Sequence, residues 1–146
     1  MNRGETRYVA VYGTLRKGNV NHFLIENSKF IGQFNSSKSY IMMYIPELNF
    51  PNITTEEMLT ESVKNEFIEN GIIPTPIKFE VYEVSLREWR DLCNLERFSG
   101  NNDNPNNLYL VLDIETPFGS ACYFGLKNFM KGEYVVSGDF SDFVKK

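Results

Sequence analysis

The sequence predicts one α+β domain built on a mixed, mainly antiparallel, barrel-like sheet with a few helices. Two observations lead to this prediction. Short segments with the alternating or β-branched composition of strands recur along most of the chain, and only two long helical patterns interrupt them. No repeat, linker or long charge run divides residues 1–146, and 42% apolar residues are enough to fill one core.

The predicted strands are separated by residues that favour turns. The first strand runs from Tyr8 to Tyr12 in the segment YVAVYGTL and ends at Gly13. A short helix is predicted over 20–28, and the residues NSSKS separate the next two strands. The later strands are 30–34, 40–45, 77–84, 108–115 and 120–126, of which 77–84 alternates as a half-buried strand does. The tail, 128–146, has the composition of irregular structure.

Two segments have the periodicity of amphipathic helices. In 54–71, Thr54 or Thr55 is a candidate N-cap, and Leu59, Val63 and Phe67 recur every four residues. The second helix begins at Ser85, with Glu88 in capping-box spacing, and continues through SLREWRDLCNLERF. The helix over 54–71 is predicted to pack over one edge of the domain.

Composition and charge exclude several classes of protein. The net charge is −4, the pI is near 5.1, and basic residues are scattered among acidic ones, so no nucleic-acid partner is expected. No segment has the length and hydropathy of a signal peptide or membrane span, which predicts a cytoplasmic protein without a membrane partner. Cys93 and Cys122 are predicted to be buried thiols. With His22 as the single histidine, no common zinc spacing is available, and no structural metal is expected.

A carboxylate lies on the apolar face of the second helix. Glu96 follows Leu92 by four residues and Cys93 by three, so a helix packed by this stripe carries Glu96 toward the interior. Burial disfavours the charged form of a carboxyl group and prepares it for general acid/base catalysis near neutral pH. The alternative is a glutamate in a frayed last turn that reaches water or pairs with Arg97.

The loop after the first strand has the features of a binding loop. Gly13 lacks a Cβ, which allows a sharp turn and the close approach of a small polar ligand to main-chain N–H groups. The segment GTLRKG has the first glycine spacing of a phosphate-binding loop, but Asn19 and Val20 stand where that motif needs lysine and then serine or threonine. Arg16 and Lys17 are interpreted as exposed surface residues.

These features together resemble a known family. The segment VYGTLRKG followed by Asn21, the segment FIGQF, and FEVYEVS leading into LCNLERF are similar to the γ-glutamylcyclotransferase-like family, which includes AIG2-like proteins and γ-glutamylamine cyclotransferases. The resemblance spans roughly residues 8–126, apart from the 54–71 helix, which looks like an insertion relative to the family. Three features depart from the family pattern: Cys93 replaces an aspartate, the glycine of the preceding strand is replaced in KFEVYEV, and the arginine often found after the tyrosine of the next strand is absent near Tyr109.

The resemblance implies an activity and a set of site residues. The activity is cyclisation of a small γ-glutamyl compound, which releases 5-oxoproline and an amine without a cofactor or metal. Glu96 would be the catalytic acid/base, Tyr123 would line the pocket, and the loop Tyr12, Gly13, Thr14 and Leu15 would hold the γ-glutamyl group. The alternative is a catalytically silent module that binds a small ligand or a protein, with 54–76 as the segment where a protein partner could dock.

Overall fold

A mixed sheet forms the body of the protein in the computed structural model, which describes residues 6–48, 50–96, 98–99, 101–126 and 132–144. The elements found in these residues are, in chain order, β1 (Thr6–Val11), β2 (Lys29–Ile45), β3 (Phe50–Thr54), α1 (Glu61–Glu69), β4 (Thr75–Ser85), α2 (Leu86–Leu95), β5 (Tyr109–Thr116), β6 (Gly119–Leu126), β7 (Glu133–Tyr134) and α3 (Phe140–Val144).

The strand order confirms the predicted fold class. The sheet runs β3-β2-β4-β1-β6-β5, and β7 pairs with β2 beside β3. Every pair is antiparallel except β1 with β6, which are parallel around Val9 and Cys122. Among the described residues no pairing joins β3 to β5, so the sheet is open and not a closed barrel.

Strand β4 lies at the centre of the sheet and is buried on both faces. One face carries Phe79 and Val81 into the main core, and the other carries Tyr82 and Val84 into a second core that α2 covers. The prediction of a half-buried strand over 77–84 is therefore wrong. Alternation of apolar and polar residues indicated one solvated face, but Glu80 and Tyr82 are buried.

Strand β2 joins two segments that the sequence separated. The predicted strands 30–34 and 40–45 belong to one strand, and the predicted turn between them is an irregularity in its pairing with β4, between Asn35 and Ser39. The Ser36 hydroxyl accepts a hydrogen bond from the Ile77 N–H at 2.9 Å, which keeps the irregular segment attached to β4. Strand β3 was not predicted, because its sequence FPNIT includes proline and asparagine, which are depleted in strands.

Helix α1 is shorter than predicted. Thr54 ends β3, residues 56–58 form a 3-10 turn, and the N-cap is Thr60, whose hydroxyl accepts the Val63 N–H. The predicted packing of Leu59, Val63 and Phe67 is confirmed: they contact a cluster on β2 formed by Ile41, Met43 and Ile45. That this segment is an insertion, or a docking site for a protein, stays a prediction; its exposed apolar side chains are Met58, Ile68 and Ile73.

Helix α2 begins as predicted and determines where Glu96 lies. The Ser85 hydroxyl accepts the Glu88 N–H, and the Glu88 carboxylate accepts the Ser85 N–H, which completes a capping box. Leu92 and Cys93 are buried against the sheet. The helix ends at Leu95, and Glu96 is its C-cap.

The tail contains regular structure that the sequence did not indicate. Strand β7 and helix α3 lie within the segment predicted to be irregular, and Val135 and Phe140 belong to the main core. Residues 128–131 and 145–146 of that prediction lie outside the described residues. Across the described ranges, no helix has the length and apolar character needed to span a membrane.

Candidate active site

A small pocket lies where the end of β1 meets the start of β3 and the end of α2. Four consecutive loop residues line it, together with one carboxyl group and a set of apolar or aromatic side chains. The lining residues are Ala10, Val11, Tyr12, Gly13, Thr14, Leu15, Phe50, Pro51, Glu96, Tyr109 and Phe124.

The loop turns its carbonyl groups into the protein. The Gly13 carbonyl accepts the Arg16 N–H at 3.0 Å and the Asn19 side-chain amide at 2.9 Å. The Thr14 carbonyl accepts the Asn21 N–H at 2.9 Å, and the Asn21 side chain donates to the Thr14 hydroxyl. The Leu15 carbonyl lies 2.8 Å from Nδ1 of His22. Each loop carbonyl is thus fixed by residues that follow it in the chain.

The opposite edge of the loop carries free donors. Within the described ranges, the backbone N–H groups of Gly13, Thr14 and Leu15 donate to no protein acceptor, although all three residues are buried. In a trans peptide the N–H points away from the carbonyl of the same unit. Fixing the Gly13 and Thr14 carbonyls therefore also fixes the N–H groups of Thr14 and Leu15. Buried N–H groups are nearly always paired, so this edge has the character of a ligand-binding cradle. We call Gly13, Thr14 and Leu15 the cradle.

Glu96 enters the same pocket from the end of α2. Its residue is 6% exposed, and no described cation or hydrogen-bond donor contacts its carboxyl group. The Glu96 N–H donates to the Leu92 carbonyl at 2.9 Å, which holds the residue on the last turn of the helix. Burial alone raises the pKa of the Glu96 carboxyl from 4.5 to about 8. The predicted burial of Glu96 is confirmed; Arg97, its alternative partner, lies outside the described residues.

Two tyrosines surround the carboxyl group. The Tyr12 hydroxyl donates to the Phe124 carbonyl at 2.7 Å, so this side chain links β1 to β6 behind the cradle. The Tyr109 hydroxyl has no hydrogen-bond partner among the described residues, although Tyr109 is 2% exposed and lines the pocket. Burial, together with the nearby Glu96 carboxylate, raises the pKa of Tyr109 well above its ordinary value, so it remains a hydroxyl donor.

The glycine of the loop has a different structural role from the one expected. Gly18, not Gly13, has a positive φ, at 89°. At Gly13 the constraint is space: a Cβ would lie 2.5 Å from Cγ of Pro51 and 2.9 Å from its Cδ. The predicted turn at Gly13 is present, because the chain bends there and the Gly13 carbonyl accepts the Arg16 N–H, but the glycine is required for space, since β3 packs directly against the bare backbone of the loop.

The interpretation of Arg16 as an exposed residue is also wrong. Arg16 is 4% exposed, because its guanidinium lies between the carboxylates of Glu80 and Asp139. Lys17 is exposed, as predicted. A basic pair after a turn is usually solvated, and the two acidic partners come from distant parts of the chain, so the local sequence did not reveal the burial.

Comparisons with known proteins place this chain in a family. No protein-family model matches the chain. A protein of Methanocaldococcus jannaschii, named "putative gamma-glutamylcyclotransferase", is 32% identical over 139 residues, which cover 93% of this chain and 97% of that protein. The chain belongs to the γ-glutamylcyclotransferase-like family. A Pyrococcus horikoshii protein with the same name is 29% identical over 134 residues, covering 92% of this chain and 90% of that one.

Solved structures show the same fold for this γ-glutamylcyclotransferase-like chain. The structure of an uncharacterized protein from Pyrococcus horikoshii has a TM-score of 0.68 at 24% identity and covers 95% of this chain and 93% of its own. The structure of an AIG2-like protein from Mus musculus has a TM-score of 0.57 at 18% identity; the match covers 86% of this chain and 80% of that protein's chain. At these identities the likeness concerns the fold.

The residues that line the pocket of this γ-glutamylcyclotransferase-like protein are not all those that were predicted. Tyr12, Gly13, Thr14, Leu15 and Glu96 meet in one pocket. Tyr123 does not line that pocket; its ring packs 6.4 Å from the ring of Tyr12, and it borders a neighbouring cavity. Tyr109 and Pro51 were missed. Tyr109 could have been suspected because it begins the strand that follows the helix of Glu96. Nothing local in the sequence indicated Pro51.

Proposed function

We propose that the protein is a γ-glutamyl cyclotransferase that needs no cofactor and releases 5-oxoproline and an amine from a γ-glutamyl compound. One observation carries the proposal: a buried carboxyl group without a described partner, Glu96, shares a pocket with three backbone N–H groups that have no described acceptor. A base and a set of oxyanion donors are the two elements that this acyl transfer requires. The family relationship supports this reaction class.

The proposed reaction uses one carboxyl group twice. The Glu96 carboxylate removes a proton from the substrate α-ammonium, and the neutral amine attacks the γ-carbonyl carbon to form the ring C–N bond. The carbonyl oxygen becomes an oxyanion, which the cradle N–H groups stabilise. Glu96 then returns the proton to the departing nitrogen, and the original C–N bond breaks. The ring nitrogen loses its second proton to the released amine, which leaves as an ammonium. The products are 5-oxoproline and a free amine.

The raised pKa of Glu96 suits both proton transfers. A carboxylate whose pKa is 4.5 is too weak a base to take a proton easily from an ammonium group. With a pKa near 8, the Glu96 carboxylate is a stronger base, and its pKa is closer to that of the ammonium group. The carboxylate is the active form in the first step. We therefore expect kcat/KM to rise with pH up to about 8, the pKa of the free enzyme.

The pocket walls suit a compact substrate. Pro51 and Phe124 provide apolar walls, and the cradle gives polar groups on one side only. Bound there, the γ-glutamyl chain would be folded with its α-amine near its γ-carbonyl, which lowers the entropic cost of ring closure. Tyr12 would line the site, and Tyr123 would support it by packing against the ring of Tyr12.

The test of the function is a direct assay. The protein is incubated with γ-glutamyl amino acids, glutathione and γ-glutamyl-ε-lysine, and 5-oxoproline is measured by mass spectrometry. Release from any of these substrates supports the cyclotransferase and identifies the leaving amine. Binding of 5-oxoproline without release from any substrate would contradict the proposal and favour the silent ligand-binding module.

Replacing Tyr109 by phenylalanine is expected to lower kcat about tenfold, the effect of losing one hydrogen bond to a charged or reacting group. The variant keeps the ring in the core and removes only the hydroxyl that faces the Glu96 pocket. The matched control is Tyr134→Phe, whose hydroxyl donates to the Ile73 carbonyl at 2.8 Å outside the pocket. Equal kcat in the two variants would show that the Tyr109 hydroxyl takes no part in turnover.

A further inference from the structure

Buried charges hold the segment that follows the cradle. Arg16 donates from Nε to a Glu80 carboxylate oxygen at 3.0 Å and from Nη1 to an Asp139 carboxylate oxygen at 2.6 Å. The three residues belong to the loop, to β4 and to the segment before α3. We call Arg16, Glu80 and Asp139 the anchor network. It ties three distant parts of the chain together beneath the loop.

Glu80 gives this network a rigid base. It lies on the central strand β4, directly opposite Val11 of β1 and Gln33 of β2. Its second carboxylate oxygen accepts the Lys17 N–H at 2.8 Å and the Tyr82 hydroxyl at 2.9 Å. One carboxylate therefore holds both the side chain of Arg16 and the main chain of the next residue.

Arg16 connects the network to the cradle through its own backbone. The Arg16 N–H donates to the Gly13 carbonyl at 3.0 Å, and the peptide unit of that carbonyl carries the Thr14 N–H. The Asn19 side chain, which donates to the same carbonyl, also lies 3.3 Å from the Ser141 hydroxyl. A shift of Arg16 would rotate this peptide and redirect a donor that faces the pocket.

Stability alone is a weak reason for such a network. Burying three charges costs desolvation that their mutual attraction often does not recover, and apolar residues of similar volume stabilise as well or better. What charges add is a fixed geometry. An arginine makes two directed bonds to two carboxylates, which a lysine cannot reproduce.

We propose that Arg16 is a positioning residue: through the anchor network it holds the N–H groups of Thr14 and Leu15 in the direction that stabilises the oxyanion. The catalytic part of this proposal rests on the cyclotransferase function. A positioning residue of an oxyanion site acts in the transition state, so its loss lowers kcat and leaves KM nearly unchanged. Because Arg16 does not line the Glu96 pocket, the pH profile keeps its midpoint.

The test compares Arg16→Lys with two controls in the full chain. Lys38→Gln breaks an exposed ion pair with Glu57, and Phe67→Leu loosens a buried contact beneath α1, away from the pocket. For Arg16→Lys we expect kcat to fall 10- to 100-fold, in line with a displacement of about 1 Å at a catalytic group, and KM to stay within about threefold. Deuterium uptake in a peptide covering 12–19 is expected to rise.

The controls separate positioning from stability. The proposal is supported if Phe67→Leu lowers the melting temperature as much as Arg16→Lys does but retains the wild-type kcat and the wild-type deuterium uptake over residues 12–19. If Arg16→Lys behaves like Phe67→Leu in either readout, Arg16 is only structural and the proposal fails. If the wild-type protein releases no 5-oxoproline, the proposed function fails separately, and the change in uptake alone then decides whether Arg16 positions the loop.

Discussion

Replacement of Glu96 by glutamine is expected to lower kcat by about 10²- to 10⁴-fold while the protein stays folded. Glutamine has the size of glutamate and fills the same place in the pocket, but it neither accepts the ammonium proton nor returns one to the leaving nitrogen. Release of 5-oxoproline under saturating substrate measures the effect. The control is Asp91→Asn, an exposed carboxylate on the same helix, which should leave kcat unchanged.

The same variant should change how stability depends on pH. The folded-state pKa of Glu96, about 8, lies above its ordinary value of 4.5, so the folded protein holds an extra proton between these pH values. The unfolding free energy of the wild type should therefore fall as pH rises from 5 to 8, by up to about 1.4 kcal/mol for each pH unit. Glu96→Gln should remove this contribution and be the more stable protein at pH 8.

Urea unfolding at pH 5 and pH 8 measures how the unfolding free energy changes with pH in the wild type and in Glu96→Gln. No described cation pairs with Glu96, so the substitution leaves no buried charge without its partner. A glutamate that held the fold through a buried ion pair would give the opposite result, a loss of about 3 to 5 kcal/mol on substitution. A Glu96→Gln protein that unfolds much more easily at pH 8 and still turns over at the wild-type rate would refute the catalytic assignment.

The features predicted correctly are those that depend on local periodicity. Helix α2 has a capping box and an apolar stripe within ten residues, so its start, its buried face and the burial of Glu96 follow from the sequence of the helix itself. Strand β5 has the alternating composition of a strand and is joined to β6 by a tight turn, which also makes this pair predictable. In each case the residues that determine the structure are neighbours in the chain.

The features that were missed depend on contacts between distant residues. Arg16 is buried because Glu80 and Asp139, 64 and 123 positions away, supply its counter-charges. Helix α1 begins at Glu61, with Thr60 as its N-cap, because residues 50–54 pair with β2 as a strand, which the capping spacing of Thr54 and Glu57 did not reveal. The cradle was predicted from a motif, but the contact that shapes it, Pro51 on Gly13, belongs to a strand that contains proline and asparagine, both of which are depleted in strands.

Gly13→Val is expected to abolish binding of 5-oxoproline, because its Cβ would lie 2.5 Å from Pro51 and force β3 away from the loop. Overpacking of this kind costs about 1 to 3 kcal/mol, equivalent to a loss of affinity of about 5- to 140-fold where it distorts the site, and the two additional methyl groups of valine increase the cost. Calorimetric titration measures the affinity. Thr14→Ser is the control: it keeps the hydroxyl that accepts the Asn21 amide, so its affinity should match the wild type.

A double substitution distinguishes the two reasons for a glycine at position 13. Pro51→Ala removes Cγ and Cδ, the two atoms that a Cβ at position 13 would meet most closely. If Gly13 serves only to admit Pro51, Gly13→Ala combined with Pro51→Ala should bind 5-oxoproline as well as Pro51→Ala alone. If the ligand itself approaches the bare backbone, the double variant should remain at least about tenfold weaker than Pro51→Ala, because the new methyl group would hold the ligand away from the Gly13 backbone. We expect the second result. Full recovery in the double variant would mean that the cradle binds no ligand at Gly13 and that the free N–H groups of Thr14 and Leu15 alone define the site.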